Sequence, residues 1–318
     1  MSFYEEMNPA DISVDEVLPI VKDFLPDIEA ASIRFFYHGT YNVFEINNRY
    51  ILRVADREFR NKLGLDMLKR ETKILDFLRN KLPLDIPKIL FINESNEIPL
   101  SIHQKIPGKS LTYVIQQMTL NQKISISADI GKFLSILHSK DLKNDYLNNF
   151  PKQNINDSYF IESFRLQWIS RFEETKEIAY QYLNQNQQEW LTKIFEDYLN
   201  DKNNFIFSPS ISHCDFDTSN ILVDPIQRQI TGIIDFEECK IWDPASDLLF
   251  FNEGSDFMKS LLDNYSFSLQ KSIIERMKFF YSRTCVPYLV WGSKHNRPGM
   301  IEEGIRRIRK NMVMFPLD

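Results

Sequence analysis

The sequence predicts an α+β chain, with a small β-rich N-terminal lobe carrying one main helix and a larger, mostly helical C-terminal lobe. Three observations carry this expectation. Short β-branched and aromatic runs, separated by turn residues, fill much of the first hundred positions. Beyond Pro107-Gly108, long stretches of helical period take over. One hairpin interrupts them: ILVDPIQRQITGII at 221–234, two apolar runs across Asp224-Pro225.

In chain order, residues 13–25 (SVDEVLPIVKDFL) have helical apolar spacing. Ser13 at the N-cap and Glu16 three residues later form a capping-box signal. Ile33–Tyr37, Asn42–Ile46 and Tyr50–Val54 read as strands, separated by the turns His38-Gly39-Thr40-Tyr41 and Asn47-Asn48-Arg49. Helical period returns over 63–80, with Leu65, Leu68, Ile74, Leu75 and Leu78 apolar. Pro83 and Pro87 bound a connection to two further strands, Lys88–Ile92 and Leu100–Ile106. Residues 121–138, 160–200 and about 245–315 are expected to be largely helical. The boundary falls near 104–108, giving lobes 1–105 and 106–318, with no repeat, low-complexity segment or Gly/Ser linker.

At 318 residues the chain is long enough for two compact units with substantial cores. A composition 43% hydrophobic and 26% charged fits a soluble globular protein rather than a disordered one. No uninterrupted apolar stretch approaches the ~20 residues of a membrane span. The acidic start MSFYEEMNPADISVDE lacks the basic-then-apolar order of a signal peptide, so cytoplasmic residence is expected. Cys214, Cys239 and Cys285 are odd in number and form no C-x-x-C pair, which argues against a disulfide framework or zinc site. The net charge of −6 argues against nucleic acid as the main partner and suits a cationic small molecule. The basic IRRIRKN near the C-terminus reads as a solvated helix end.

The chemistry is concentrated in His213-Cys214-Asp215-Phe216-Asp217-Thr218-Ser219-Asn220 and, fifteen residues beyond Asn220, Ile234-Asp235-Phe236. The step from Asp215 to Asn220 matches the H-x-D-x-x-x-x-N catalytic loop of kinases. Phosphoryl transfer demands positioning and charge neutralisation more than covalent chemistry. Asp215 can take a hydroxyl proton, and Asn220 and Asp235 can offer oxygens to Mg²⁺, a hard cation. His213 would orient the loop. The bland alternative is a polar loop whose Asp and Asn only make turns. Antiparallel strands at 221–234 would bring Asn220 and Asp235 to one end of the hairpin. Upstream, Gly39 sits in a turn that could cover phosphates, although an ordinary hairpin would look the same. Arg53, one strand later, stands where a kinase strand carries its phosphate-binding Lys, with Glu71 on the next helix as its partner.

These residues resemble the aminoglycoside phosphotransferase family, part of the protein-kinase-like group that includes choline kinases. The likeness runs through NNRYILRV and KRETKIL, LPLDIPKIL and QKIPGKSLT, IGKFLSILHS, SHCDFDTSNILVD, ITGIIDFEECKIWDPASDL and the late EEGIRRIR. The LPLDIP connector and the EEGI segment look most like the 2″-phosphotransferase branch. The resemblance implies a bilobal protein-kinase-like fold, with 1–105 the nucleotide-binding lobe and 106–318 the catalytic and substrate-binding lobe. It implies ATP or GTP as donor, Mg²⁺, and transfer of the γ-phosphoryl group to an aminoglycoside hydroxyl, as in antibiotic resistance. By matching position, Asp215 resembles the catalytic base and Asn220 and Asp235 the metal ligands. His103, Gln104, Lys105 and Ile106 resemble the hinge that contacts the base through backbone groups. Glu238 and Glu253, with Asp217 and Trp168, match substrate-facing positions.

The chain departs from the family pattern in three places. Arg53 replaces the usual Lys, as in choline-kinase-like relatives; the two cations are not interchangeable. Glu237 and Trp242 replace small residues, so a flexible switch at Asp235 is not expected. An aromatic usually near the substrate is missing around Pro298-Gly299-Met300, although Trp291 is close in sequence. Two other readings stay open. One keeps the chemistry for a different acceptor, such as a choline-like amino alcohol, a sugar or a macrolide. The other is a non-catalytic nucleotide-binding regulator.

Overall fold

The computed structural model describes residues 9–150, 156–266 and 272–317. The first eight residues, and 267–271 within the stretch expected to be helical over 245–315, lie outside the described residues. The chain begins with α1 (Val14–Phe24), β1 (Ile33–His38), β2 (Tyr41–Ile46), β3 (Tyr50–Ala55), α2 (Lys62–Leu78), β4 (Ile89–Asn93) and β5 (Leu100–Gln104). It continues with β6 (Lys109–Ser110), α3 (Leu111–Val114), α4 (Leu120–Leu137), α5 (Lys140–Asn149), α6 (Asp157–Ala179) and α7 (Gln185–Asn200). Four short strands follow: β7 (Ser210–Ser212), β8 (Ile221–Val223), β9 (Ile230–Ile233) and β10 (Lys240–Trp242). The last helices are α8 (Ser255–Asp263), α9 (Ile273–Ser282), α10 (Cys285–Lys294) and α11 (Pro298–Met314). The class is α+β, as the sequence predicts. Among the described residues no helix is long and apolar enough to cross a membrane. Packing separates two compact units, Met1–Phe133 with Asp217–Cys239, and Leu134–Phe216 with Lys240–Asp318.

The first unit is built on a five-stranded antiparallel sheet in the order β1-β2-β3-β5-β4. Ser13 caps α1 and Glu16 returns the bond to the Ser13 backbone, completing the expected capping box. Val17 and Val21 of α1 pack with Phe44, Ile46, Leu52, Val54, Leu100 and Ile102 on one sheet face. Successive strand residues face opposite ways. Arg53, between Leu52 and Val54, therefore points to the other face, where Leu68 of α2 packs with Tyr41 and Ala55. The buried stripe of α2 includes Leu65, Leu68, Glu71, Ile74, Leu75 and Leu78, which places a carboxylate at an apolar position. A charge buried there requires a cationic partner.

The turns follow local rules. Asn47 and Asn48 both have positive φ (52° and 56°), and the Arg49 N–H donates to the Ile46 carbonyl at 2.9 Å, as in a type I′ hairpin. At Gly108 φ is +135°, and a Cβ there would lie 2.6 Å from Thr231 Oγ1 and 3.0 Å from the Val223 carbonyl oxygen. Only glycine lets the chain pass so close. It enters β6, which pairs with β8 through Lys109 and Val223, while β8 pairs with β9 through Ile221 and Ile233. The Asp85 carbonyl accepts the Ile233 N–H at 2.8 Å. These bonds attach 217–239 to the N-terminal residues.

Asp11, His38 and Asp56 place possible ligand atoms within 4.8 Å of one another. Their bonds are those of a latch: His38 contacts the Pro9 carbonyl (2.8 Å) and Asp56 (2.9 Å). Asp11 accepts from Asn42, the Arg57 N–H and Arg60. The segment before α1 is thereby fixed to the β1–β2 turn.

The second unit is helical around an aromatic core. Trp168 meets Phe164, Tyr198, Trp242, Phe279 and Phe280 edge-on at centroid distances of 5.1–6.5 Å, and Tyr198 stacks on Phe279 at 3.7 Å. The stretch expected to be helical over 160–200 is two helices. A 3₁₀ turn at Tyr180–Tyr182 ends the first, and Asn184 with Gln187 forms the capping box of the second. Strands β7 and β10 pair through Ile211 and Ile241; at three residues each they are too short to show a period in the sequence. Asp243, fully buried, binds Arg276 Nε at 2.9 Å and caps a 3₁₀ turn, Pro244–Asp247, by accepting the Ala245 N–H. Removing one partner leaves the other charge buried and unpaired. Arg276→Met is expected to lower stability by about 3–5 kcal/mol. Urea unfolding should show this loss, and an accompanying Asp243→Asn should restore part of it.

Candidate active site

Arg53 is the hub of the first unit's charged cluster. Its Nη1 reaches both carboxylate oxygens of Glu71, at 2.6 and 2.7 Å. Its Nη2 lies 3.4 Å from Asp235 Oδ1 and 3.3 Å from Glu237 Oε2, and the Tyr41 ring covers the guanidinium at 4.1 Å. Arg53 is 9% exposed and Glu71 1%. The three carboxylates hold the guanidinium charged despite its burial. Burial, then the Asp235 charge, raises the pKa of Glu237, with Arg53 opposing. The neighbouring Arg70 donates to the Glu237 carbonyl at 2.9 Å, so adjacent residues of α2 grip both Arg53 and the loop after Asp235.

Asn220 and Asp235 stand at the open end of the β8–β9 hairpin, as expected: the Ile234 N–H donates to the Asn220 carbonyl at 2.9 Å. The turn before Asn220 is anchored by Thr112 and Ser110, which both bond Thr218. Asp235 adopts φ 69°, a left-handed conformation that a non-glycine residue holds only where its surroundings fix it. An amide and a carboxylate, both oxygen donors, suit Mg²⁺. The Asp235 side chain is 35% exposed and is held only by the long Arg53 contact among the bonds above, so the residues present fit the ion.

The second unit holds His213, Cys214 and Asp215. Asp247 fixes this loop: its Oδ2 accepts the His213 N–H at 2.6 Å and its Oδ1 accepts the Cys214 N–H at 2.8 Å. His138 Nε2 donates to the same carboxylate at 3.0 Å, and Tyr265 O–H bonds His138 Nδ1 at 2.8 Å. Asp247, His138 and His213 are fully buried. Cys214 also adopts φ 69°, and Asp215, next along, is exposed. The His213 ring packs edge-on against Phe216.

The other expected residues are distributed as follows. Gly39 lies in the β1–β2 turn, where a Cβ would meet the Tyr37 hydroxyl at 2.7 Å and its ring at 2.8 Å. In the hinge segment, the Gln104 N–H bonds Lys88, the Lys105 N–H bonds Arg49, and the Lys105 ammonium bonds Glu45 and Asn48. Ile106 packs under Gly232. His103 is buried, and burial with the nearby Arg53 charge lowers its pKa to about 4. Glu238 is exposed; Glu253 is half-buried on a 3₁₀ turn (Phe251–Glu253) rather than on a helix. Asp217 accepts the Ser219 N–H (2.7 Å) and O–H (2.5 Å), which builds the turn. Trp168 is a correction: expected to face substrate, it is 1% exposed in the aromatic core, with the guanidinium groups of Arg171 and Arg283 at 4.9 and 4.7 Å over its ring.

A family model described as "Phosphotransferase enzyme family" matches residues 32–273, most of the chain and all the residues of both clusters. The chain belongs to this phosphotransferase family. Its fold is that of solved aminoglycoside phosphotransferases. The GDP and kanamycin complex of APH(2″)-IIIa superposes with a TM-score of 0.81 at 19% identity, covering 94% of this chain and 99% of that one. The streptomycin–ATP ternary complex of APH(2″)-IIa gives 0.64 at 22% identity, covering 96% and 97%. The ADP and hygromycin B complex of a thermostable APH(4)-Ia mutant gives 0.63 at 13% identity, covering 95% and 100%. A search of curated proteins finds no match.

Sequence reasoning missed three residues of this phosphotransferase that the geometry singles out: Asp247, His138 and Tyr41. Asp247 in DPASDL and His138 in ILHS lay inside quoted motifs, but nothing local says that they meet. Asp247→Asn would turn an NH₂ donor toward one of the two backbone N–H donors. It is expected to lower kcat by about a hundredfold through misplacement of Asp215 while changing donor KM little; steady-state kinetics checks this. A second expectation concerns pH. The folded-state pKa of His103 lies below its unfolded value, so the unfolded chain binds the extra proton first. Stability should therefore fall as pH drops from about 6.5 to about 4, by at most ~1.4 kcal/mol per pH unit from this group. His103→Gln should flatten that limb in thermal melts.

Proposed function

We propose that the chain is an aminoglycoside O-phosphotransferase, transferring the γ-phosphoryl group of ATP or GTP to a substrate hydroxyl. The observation that carries the reading is the Arg53–Glu71 pair beside Asp235, on the hairpin end that also bears Asn220. A family of phosphotransferases has use for such a cluster, and solved neighbours bind GDP, ADP or ATP with kanamycin, streptomycin or hygromycin B. In this reading the N-terminal lobe, 1–105, binds nucleotide, and 106–318 carries catalysis and substrate.

Asp215, exposed at the end of a clamped loop, accepts the proton of the attacking hydroxyl and aligns its oxygen with the γ-phosphorus. His213 orients the loop through its Asp247-bound N–H. Arg53 donates to the polyphosphate, held in place by Glu71. Asn220 and Asp235 would hold Mg²⁺, which offsets charge on the triphosphate. Gly39 covers the phosphates, and backbone groups of His103–Ile106 contact the base. Glu238 and Glu253, with Asp217 in support, pair with the ammonium groups of the acceptor. The net charge of −6 favours approach of such a polycation. We place the enzyme in the cytoplasm, where nucleoside triphosphate is supplied.

A choline-like acceptor has less support, because Trp168 and Trp242 are joined in the core cluster and two arginines already cover Trp168. Nucleoside diphosphate release should rise several-fold with at least one aminoglycoside from a panel tested with ATP and with GTP. Stimulation by choline, sugars or macrolides alone would refute the assignment. Asp215→Ala should lose about 10²–10⁴-fold in turnover while retaining triphosphate affinity, measured by calorimetry.

A further inference from the structure

Arg53 and Asp235 are in contact, and that contact raises a difficulty for metal binding. The carboxylate expected to hold a divalent cation faces a guanidinium whose Nη2 is 3.4 Å away. Two cations cannot share one carboxylate closely without strong repulsion. Nη1 is already committed to both oxygens of Glu71, so the conflict concerns Nη2 alone. Glu237 Oε2 lies 3.3 Å from that same nitrogen. Its side chain is 15% exposed, and its backbone carbonyl is held by Arg70, so its position is set by α2. The Tyr41 ring over the guanidinium limits how far Arg53 can swing. Nη2 carries two hydrogens: one can serve the polyphosphate, and once Asp235 turns to a cation the protein acceptor left for the other is Glu237.

We propose that Glu237 is a positioning residue, the alternative acceptor for Arg53 Nη2 that releases Asp235 to a divalent cation. The inference rests on the nucleotide-binding reading above but not on the identity of the acceptor. A lysine in strand β3 would have one nitrogen to place, and Glu71 would engage it. The forked guanidinium has two terminal nitrogens, and the second needs its own carboxylate. On this account Glu237 and Arg53 belong together: the larger cation requires the additional acid.

The test is Mn²⁺ binding to the full chain with GDP or ADP, followed by electron paramagnetic resonance, which requires no turnover and no acceptor. Glu237→Gln should weaken Mn²⁺ binding about tenfold when Arg53 is present. The same change in an Arg53→Met background should weaken it less than about twofold, because the competing cation is gone. Arg53→Lys, which keeps the charge and spares the core, is the second background and should also blunt the effect. Equal losses in all three backgrounds would make Glu237 a direct metal ligand and overturn the proposal. No loss in any background would overturn it as well. A wild-type chain that takes up no Mn²⁺ with either nucleotide would overturn the nucleotide reading itself, and this inference with it. That result is distinct from an inert Glu237→Gln in a protein that binds.

Discussion

A strand that packs one face against a helix and turns the other toward chemistry must place charge inside a protein, and Arg53 is where this chain does so. Alternation along β3 leaves Leu52 and Val54 in the core with α1 and sends Arg53 to the opposite side. Burial there is tolerable only with counter-charge. The carboxylates of Glu71, Asp235 and Glu237 provide it from α2 and from the loop after β9. The pairing fixes the rotation of α2, because Glu71 has to interrupt its apolar stripe at one position. It also fixes the loop bearing Asp235. The sheet, the helix and the hairpin are thereby tied at one guanidinium.

The second unit uses the same logic with the sign reversed. There a buried carboxylate, Asp247, is satisfied by two backbone N–H groups and an imidazole. Hydrogen bonds to a charged acceptor are among the stronger ones in proteins. They hold Cys214 in a left-handed conformation and present Asp215 outward. The turn carrying Asp247 is in turn started by Asp243, whose charge Arg276 balances. The His213–Asp215 loop thus takes its geometry from three buried charges behind it.

What was legible in the sequence depended on separation along the chain. The Ser13–Glu16 capping box, the Asn47-Asn48 turn and the 221–234 hairpin are local, and their chemistry is written in adjacent residues. The Arg53–Glu71 pair spans 18 residues but was readable, because Arg53 stands where a kinase strand carries its Lys and Glu71 lies on the next helix. Asp247 meets His213 and His138 across 34 and 109 residues, and Glu237 meets Arg53 across 184. No period or cap announces such contacts. Trp168 was misread for a related reason: α6 shows little sidedness in its sequence, and a ring on it gives no sign of facing inward or outward. The capping box at Asn184 and Gln187 is as local as that at Ser13 and Glu16.

The discontinuity of the first unit bears on how the protein is made. Residues 217–239 pack with the N-terminal residues, and the edge of β6 is completed only by β8. During synthesis on a ribosome, the N-terminal sheet with α1 and α2 can assemble as soon as β5 has emerged. The hairpin that finishes this unit begins at Ile221, more than a hundred residues after β5 ends at Gln104, with α3 to α7 between them. Such non-local closure slows folding, since a long intervening chain must be ordered or looped out first. Until then the Gly108 segment has no partner strand, and Arg53 has Glu71 but neither Asp235 nor Glu237. Arg53 therefore begins paired with Glu71 alone, and the acidic loop joins it last.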